Sequence, residues 1–139
     1  MQKTIIKVFA DTNILVSSIL YPLSNPKLAL QKAGSYPFCL YTSRYCFEEL
    51  TNVFKLKFPH MLSALEEFFK YDFNSITILN DDNQSLNDEA LIRDPMDQII
   101  INTAIGNKMD LIITGDKDFL ESGLTHPLPV SPRDFLDNY

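Results

Sequence analysis

Runs of apolar residues broken by short polar stretches set the outline of this chain. From Thr4 to Ala10 the residues Ile5, Ile6, Val8, Phe9 and Ala10 are nearly continuous, the pattern of a strand buried on both faces. The run stops at Asp11-Thr12-Asn13, and Ile14 to Leu20 is expected to be helical. Ser24-Asn25-Pro26 reads as a helix start with proline at the first position; that helix runs to about Ala33 and Gly34 ends it. Pro37 to Tyr41 predicts a second short strand. Thr42 or Ser43 can cap a helix from about Arg44 to Lys57, and Pro59 opens another to about Tyr71. Ser75 to Leu79 predicts a third strand. Asn80 to Asn83 is a polar turn, with a short helical piece expected at Leu86 to Leu91. Asp94-Pro95 starts a helix to about Lys108, and Leu111 to Thr114 is a fourth buried strand. Asp116 to Leu120 predicts a short helix, Leu128 to Val130 a last strand, and Pro132 to Leu136 a terminal helical turn.

Strands alternate with helices throughout, which predicts a three-layer α/β fold around a mainly parallel sheet. The 139 residues suit one domain, expected to span 1–139 without repeat or linker, and 45% hydrophobic residues supply its core. No segment approaches the roughly 20 apolar residues of a membrane span. Met1 to Val8 is too short and too charged for a secretory leader, so a cytoplasmic location is expected. Cys39 and Cys46 show no Cys-x-x-Cys spacing, and both read as small core hydrophobes. The net charge of −6 and pI near 4.7 argue against a broad basic surface for nucleic acid. They leave room for a dense acidic site whose field bound cations reverse, and they predict weak nucleic-acid binding without metal.

In a parallel α/β fold, ligands bind where strands end and helices begin. Asp11 directly follows the first strand, and Asp116 follows the fourth after one glycine. Asp97 falls in the first turn of the helix after Asp94-Pro95, on the side of Ile100, Ile101 and Ala104. Glu49 is placed by helical phase. At about 100° per residue, Cys46, Leu50, Val53 and Phe54 define the apolar face of the third predicted helix. Glu49 flanks that face and Glu48 points away, so Glu49 is preferred. Each acid also has a plain structural reading: Asp11, Asp94 and Asp116 suit helix caps, Asp97 the helix dipole and Glu49 a surface flank. Together the acids weigh differently. Four carboxylates converging on one edge repel one another and raise one another's pKa. A cation relieves this, and hard oxygen ligands without Cys or His favour Mg²⁺ or Mn²⁺ over Zn²⁺.

These segments resemble the PIN-domain family. Asp11-Thr12-Asn13-Ile14-Leu15-Val16 is similar to its opening motif, and Ser43 to Phe54, holding Glu48-Glu49-Leu50, to its second. Arg93-Asp94-Pro95-Met96-Asp97 with Asn102-Thr103-Ala104 resembles the third motif, and Thr114-Gly115-Asp116-Lys117-Asp118-Phe119-Leu120 the fourth. Pro132-Arg133-Asp134-Phe135-Leu136 looks like the ending of a toxin-like bacterial subgroup. The resemblance runs nearly end to end with the motifs in order. It implies a Rossmann-like α/β/α fold and a metal-dependent endoribonuclease preferring single-stranded RNA, giving 5′-phosphate and 3′-hydroxyl products. It also implies the toxin role of a VapC-like toxin–antitoxin pair, with an antitoxin protein and a second copy of the chain as partners. By motif position, Asp11, Glu49, Asp97 and Asp116 match the family's acidic quartet. Asn13 and Thr114 match polar positions that orient carboxylates or metal-bound water, Asp118 an accessory acid, and Asp94 lies within the third motif as a supporting polar residue.

Arg44, Lys55, Lys57, Arg93 and Lys117 lie near the motifs and are candidates for phosphate contacts. Tyr41, Tyr45 and Phe119 are candidates for base stacking, with Phe119 read chiefly as core. The competing functions are weaker. An Asp11-nucleophile phosphatase wants a second aspartate where Asn13 stands. A metal-free ribonuclease would need His60 and His126, which sit beside Pro59 and Pro127 in loop-like contexts. A catalytically silent RNA-binding module of the same fold would keep the acids without the activity, and a receiver domain would show an early acid pair that is absent.

Overall fold

The computed structural model of the protein describes residues 5–81 and 95–139. The second half of the expected turn at Asn80 to Asn83 and the helical piece at Leu86 to Leu91 lie outside the described residues, as do Arg93 and Asp94. The elements run β1 (Ile6–Ala10), α1 (Thr12–Leu20), α2 (Asn25–Ala33), β2 (Phe38–Ser43), α3 (Arg44–Lys57), α4 (Leu62–Glu67), β3 (Ile76–Leu79), α5 (Pro95–Gly106), β4 (Leu111–Ile113), α6 (Lys117–Leu120), β5 (Leu128–Val130) and α7 (Pro132–Asn138).

The five strands form one sheet in the order β3-β2-β1-β4-β5, and every pairing is parallel. β1 lies at the centre, with Val8 opposite both Leu40 of β2 and Leu111 of β4. Successive side chains of a strand point to opposite faces, and this divides the core in two. Val8, Ala10, Leu40 and Ile113 pack with Leu15, Leu30, Leu50, Phe54 and Phe135 on one face. Phe9 and Ile112 pack with Cys46, Ile100, Ile101, Ala104 and Phe119 on the other. The result is the three-layer α/β/α arrangement that the alternation of elements predicts.

Local signals set the helix starts. Ser24 accepts from the Lys27 N–H and Ser43 from the Cys46 N–H, each satisfying a donor that a helix start leaves open. β2 runs beyond its expected end at Tyr41 through Thr42 and Ser43. Both are fully buried, and the Thr42 hydroxyl donates to the Ala10 carbonyl at 2.9 Å. Polar residues stay in the sheet here because the fold supplies their partners.

The helix expected from Pro59 to Tyr71 is broken into pieces. A 3₁₀ turn at Pro59–Met61 leads into α4, a π turn follows at Phe68–Asp72 and another 3₁₀ turn at Phe73–Ser75. Aromatic packing accounts for the wider turn. Phe73 donates its N–H to the Phe68 carbonyl five residues back, and their ring centroids lie 6.1 Å apart. Regular α-helical spacing would turn these rings well away from each other. Of the apolar stretches around Tyr21–Leu30 and Phe68–Phe73, Ala29, Leu30 and Phe68 are core, while Tyr21, Leu23 and Tyr71 are exposed. Cys46 is buried as expected, Cys39 is only half-buried, and both are free thiols. Among the described residues no helix is long and apolar enough to cross a membrane.

Candidate active site

β1 and β4 are neighbours in the sheet although Val8 and its partner Leu111 lie 103 positions apart in sequence (111 − 8). Connections leave β1 toward one edge of the sheet and β4 toward the other, so the sheet order reverses between them. Crevices form at the carboxyl ends of strands at such a switch point. Asp11 ends β1 and Asp116 follows β4, and both line one cavity there with Thr12, Asn13, Glu49, Asp97, Ile100 and Phe119. Its volume is about 30 Å³, enough for one or two waters or ions. The larger hollow beside Glu66, Phe69 and Lys70 gathers no comparable set of acids.

Asp11 is almost fully buried. Its Oδ1 accepts from the Ile14 N–H at 3.1 Å, so it caps α1. Its Oδ2 accepts from the Thr114 hydroxyl at 2.5 Å. Thr114 Oγ1 in turn accepts from the Asp116 N–H at 3.1 Å, tying the ends of β1 and β4 together. Burial pushes the Asp11 carboxyl up to about 6; Thr114 and Ile14 oppose that rise, and the neighbouring Asp116 charge adds to it. Asp116 caps α6 by accepting from the Asp118 N–H at 2.8 Å. The structural readings of Asp11 and Asp116 are therefore real, and they coexist with a place in the cavity.

Glu49 projects from α3 and accepts from the Tyr45 hydroxyl at 2.8 Å. Glu48 is exposed and faces Arg44, with 3.5 Å between Oε1 and Nε, as the helical phase predicts. Asp97 is half-buried in the first turn of α5 and completes the acidic lining. Asn13 stands exposed at the rim. Asp118 is exposed and contributes its N–H; its carboxylate is not part of the lining. Of the basic candidates, Arg44 is exposed and engaged with Glu48, and Lys55, Lys57 and Lys117 are exposed. Phe119 is core and also lines the cavity. Tyr41 is half-buried beneath the Lys7 ammonium, 5.7 Å from ring centre to Nζ. His60 and His126 are exposed and line none of the cavity.

Sequence reasoning missed two features. Tyr45 holds Glu49, and the i, i+4 spacing on a predicted helix was the signal that could have found it. Thr12 is buried beside Asp11, and its hydroxyl oxygen is a buried side-chain polar atom without a partner among the described residues. Behind them the Cys46 thiol, beside Ser43, Thr12 and Thr42, is pushed up to about 11 by burial and stays protonated.

A divalent cation can be tested against this lining. The donors are all oxygens, Asp11 is desolvated without a compensating charge, and the Thr12 hydroxyl lacks a partner. These suit a hard, hydrated ion. Among the described residues, however, no three His, Cys, Asp or Glu side chains close round a common point as they stand. The set fits Mg²⁺ or Mn²⁺ in the kind of donor, and side-chain adjustment has to supply the distances.

Residues 7–118 match the PIN domain family, and the chain belongs to that family. It is similar to an uncharacterized protein of Methanocaldococcus jannaschii, 28% identical across all of this chain and 95% of that protein. Its fold is that of a chain in the crystal structure of VapBC2 from Rickettsia felis bound to a DNA fragment from their promoter. The TM-score is 0.65 at 18% identity, covering 91% of this chain and 98% of the other.

Proposed function

We propose that residues 1–139 act as one metal-dependent endoribonuclease, with Asp11, Glu49, Asp97 and Asp116 holding Mg²⁺ or Mn²⁺. The observation that carries this reading is the convergence of four carboxylates, from four separate elements, on one cavity at the switch point of a PIN domain. A bound divalent cation would supply an activated water and stabilise the leaving oxygen of a phosphodiester. The chain's own residues do the rest. Thr114 and the Ile14 N–H fix the orientation of Asp11, and the Asp118 N–H fixes Asp116. Asn13 at the rim is placed to hydrogen-bond water or a phosphate oxygen, and Lys117 and Arg44 lie within the motifs that frame the site, as Arg93 does in sequence. The preference for single-stranded RNA rests on the motif resemblance.

The toxin role in a toxin–antitoxin pair, with an antitoxin protein and a homodimer, rests on the motif resemblance and on the shared fold with VapBC2. One observation favours a second reading, a catalytically silent RNA-binding domain: the acids do not close round a common point as they stand.

Cleavage of a labelled single-stranded RNA separates the two. Cleavage in Mn²⁺ that disappears with EDTA and in Asp11→Asn supports the enzyme. RNA binding without cleavage in Mn²⁺ supports the silent domain. Cleavage that survives EDTA and Asp11→Asn would sink the acidic site and return attention to His60 and His126.

A further inference from the structure

Glu48 and Glu49 sit side by side on α3, and each is met by the residue one turn earlier. Glu48 meets a cation, Arg44, on the open surface. Glu49 meets a neutral phenol, Tyr45, at 2.8 Å. Tyr45 is a fixed donor because both its ends are anchored. Its backbone N–H donates to Asp81 Oδ1 at 2.9 Å, and its ring packs against the core layer that contains Phe9, Ile100 and Phe119. Glu49, by contrast, has a long side chain with several rotatable bonds, whose carboxylate is poorly placed without an outer partner.

We infer that Tyr45 is a positioning residue for Glu49: it orients the carboxylate toward the acidic cavity through one oxygen and leaves the other for a cation. This rests on the acidic-site reading proposed above. The chemistry of the donor is the telling feature. A lysine or arginine at this place would hold the carboxylate equally well but would cancel its charge and compete with the metal. A phenol, neutral below about pH 10, orients without cancelling. The same choice recurs across the cavity. Asp11 is held by a hydroxyl and an N–H, and Asp116 by an N–H. Among the described residues none of Asp11, Glu49 and Asp116 has a cationic partner. Outer hydrogen bonds of this kind orient metal-binding carboxylates, and their loss typically weakens binding about 10- to 100-fold.

The test is direct Mn²⁺ binding to the full chain, read from the electron paramagnetic resonance of free Mn²⁺ near neutral pH. Four proteins are compared: the parent, Tyr45→Phe, Glu49→Gln and the double variant. Tyr45→Phe keeps the ring and its packing, and thermal unfolding of the metal-free proteins checks that it does. Tyr45→Phe should weaken Mn²⁺ binding about tenfold, and adding it to Glu49→Gln should change nothing further, because the tyrosine acts through that carboxylate. Unchanged affinity in Tyr45→Phe, or an equal loss in both backgrounds, overturns the inference. If the parent binds Mn²⁺ and Glu49→Gln weakens it while Tyr45→Phe does not, only the positioning role fails. If the parent binds no Mn²⁺, the acidic-site reading fails and this inference with it.

Discussion

Asp11 carries two duties that pull its protonation in opposite directions. As a cap and a partner of Thr114 it is well hydrogen-bonded, yet burial outweighs those bonds and lifts its carboxyl from 3.8 to about 6. The folded chain therefore favours the protonated form. The associated stability is fully present below about pH 4 and is lost as pH rises through about 6. By neutral pH the ionised carboxylate weighs about 3 kcal/mol against the metal-free fold. Asp11→Asn should therefore unfold at a higher temperature than the parent at about pH 7.5 without metal, and the gap should close toward about pH 4. The same variant should lose Mn²⁺-dependent cleavage. An Asp11→Asn protein that is less stable than the parent at neutral pH would contradict the buried, uncompensated charge. Thr114→Val removes the donor to Asp11 and the acceptor for the Asp116 N–H at once. It should cost about 1–3 kcal/mol in urea unfolding. Asp11 and Asp116 were legible because they follow apolar runs. The Thr114 bridge was legible only as a motif position, since its two bonds join parts of the chain that the sequence does not show to be neighbours.

At the scale of elements, α3 was the most readable part of the molecule. Its cap at Ser43, its apolar face and its two adjacent glutamates follow from helical phase, and Glu48 and Glu49 part company as that phase predicts. Two paired substitutions test the proposed site at this scale. Glu48→Gln should leave metal affinity and cleavage within about twofold of the parent, as exposed pairs contribute little. Glu49→Gln should reduce both by an order of magnitude or more. Ser43→Ala, which leaves the Cys46 N–H without its side-chain acceptor, should lower stability by about 1 kcal/mol. Chemical denaturation of the metal-free chain measures it. The segment from Pro59 to Ser75 was not legible in this way. Its pattern is helical, but the rings of Phe68, Phe69 and Phe73 have to meet one another and Phe47. Tertiary packing then changes the local winding, and no periodicity records that. Thr42 and Ser43, legible only as candidate helix caps, also extend β2 beyond Tyr41 for a related reason: their partners come from other strands or from the next helix.

For the whole molecule, the α/β class was readable from the alternation of elements, whereas the strand order was not. The order β3-β2-β1-β4-β5 depends on pairings between distant segments, and it is this order that brings Asp11 and Asp116 together. The proposed site makes the whole fold responsive to metal. A cation bound by the folded chain alone should stabilise it by about 2.7 kcal/mol at a hundredfold excess over its dissociation constant. Mg²⁺ should therefore raise the thermal midpoint, EDTA should reverse the rise, and Asp11→Asn combined with Asp116→Asn should abolish it. A rise that persists in the double variant would place the cation elsewhere on this acidic chain, whose net charge is −6.

The central pairing of β1 with β4 also has a consequence for the chain while it is being made. Residues 6–10 leave the ribosome together with Asp11, and Glu49 follows on α3, but the strand that closes against β1, residues 111–113, is made only after both. Until that late segment emerges, Asp11 has neither Thr114 nor Asp116 beside it, and the cavity has no second wall. A chain made only as far as α3 is thus incapable of forming the complete acidic lining, however long it waits, and the proposed cutting activity would await β4.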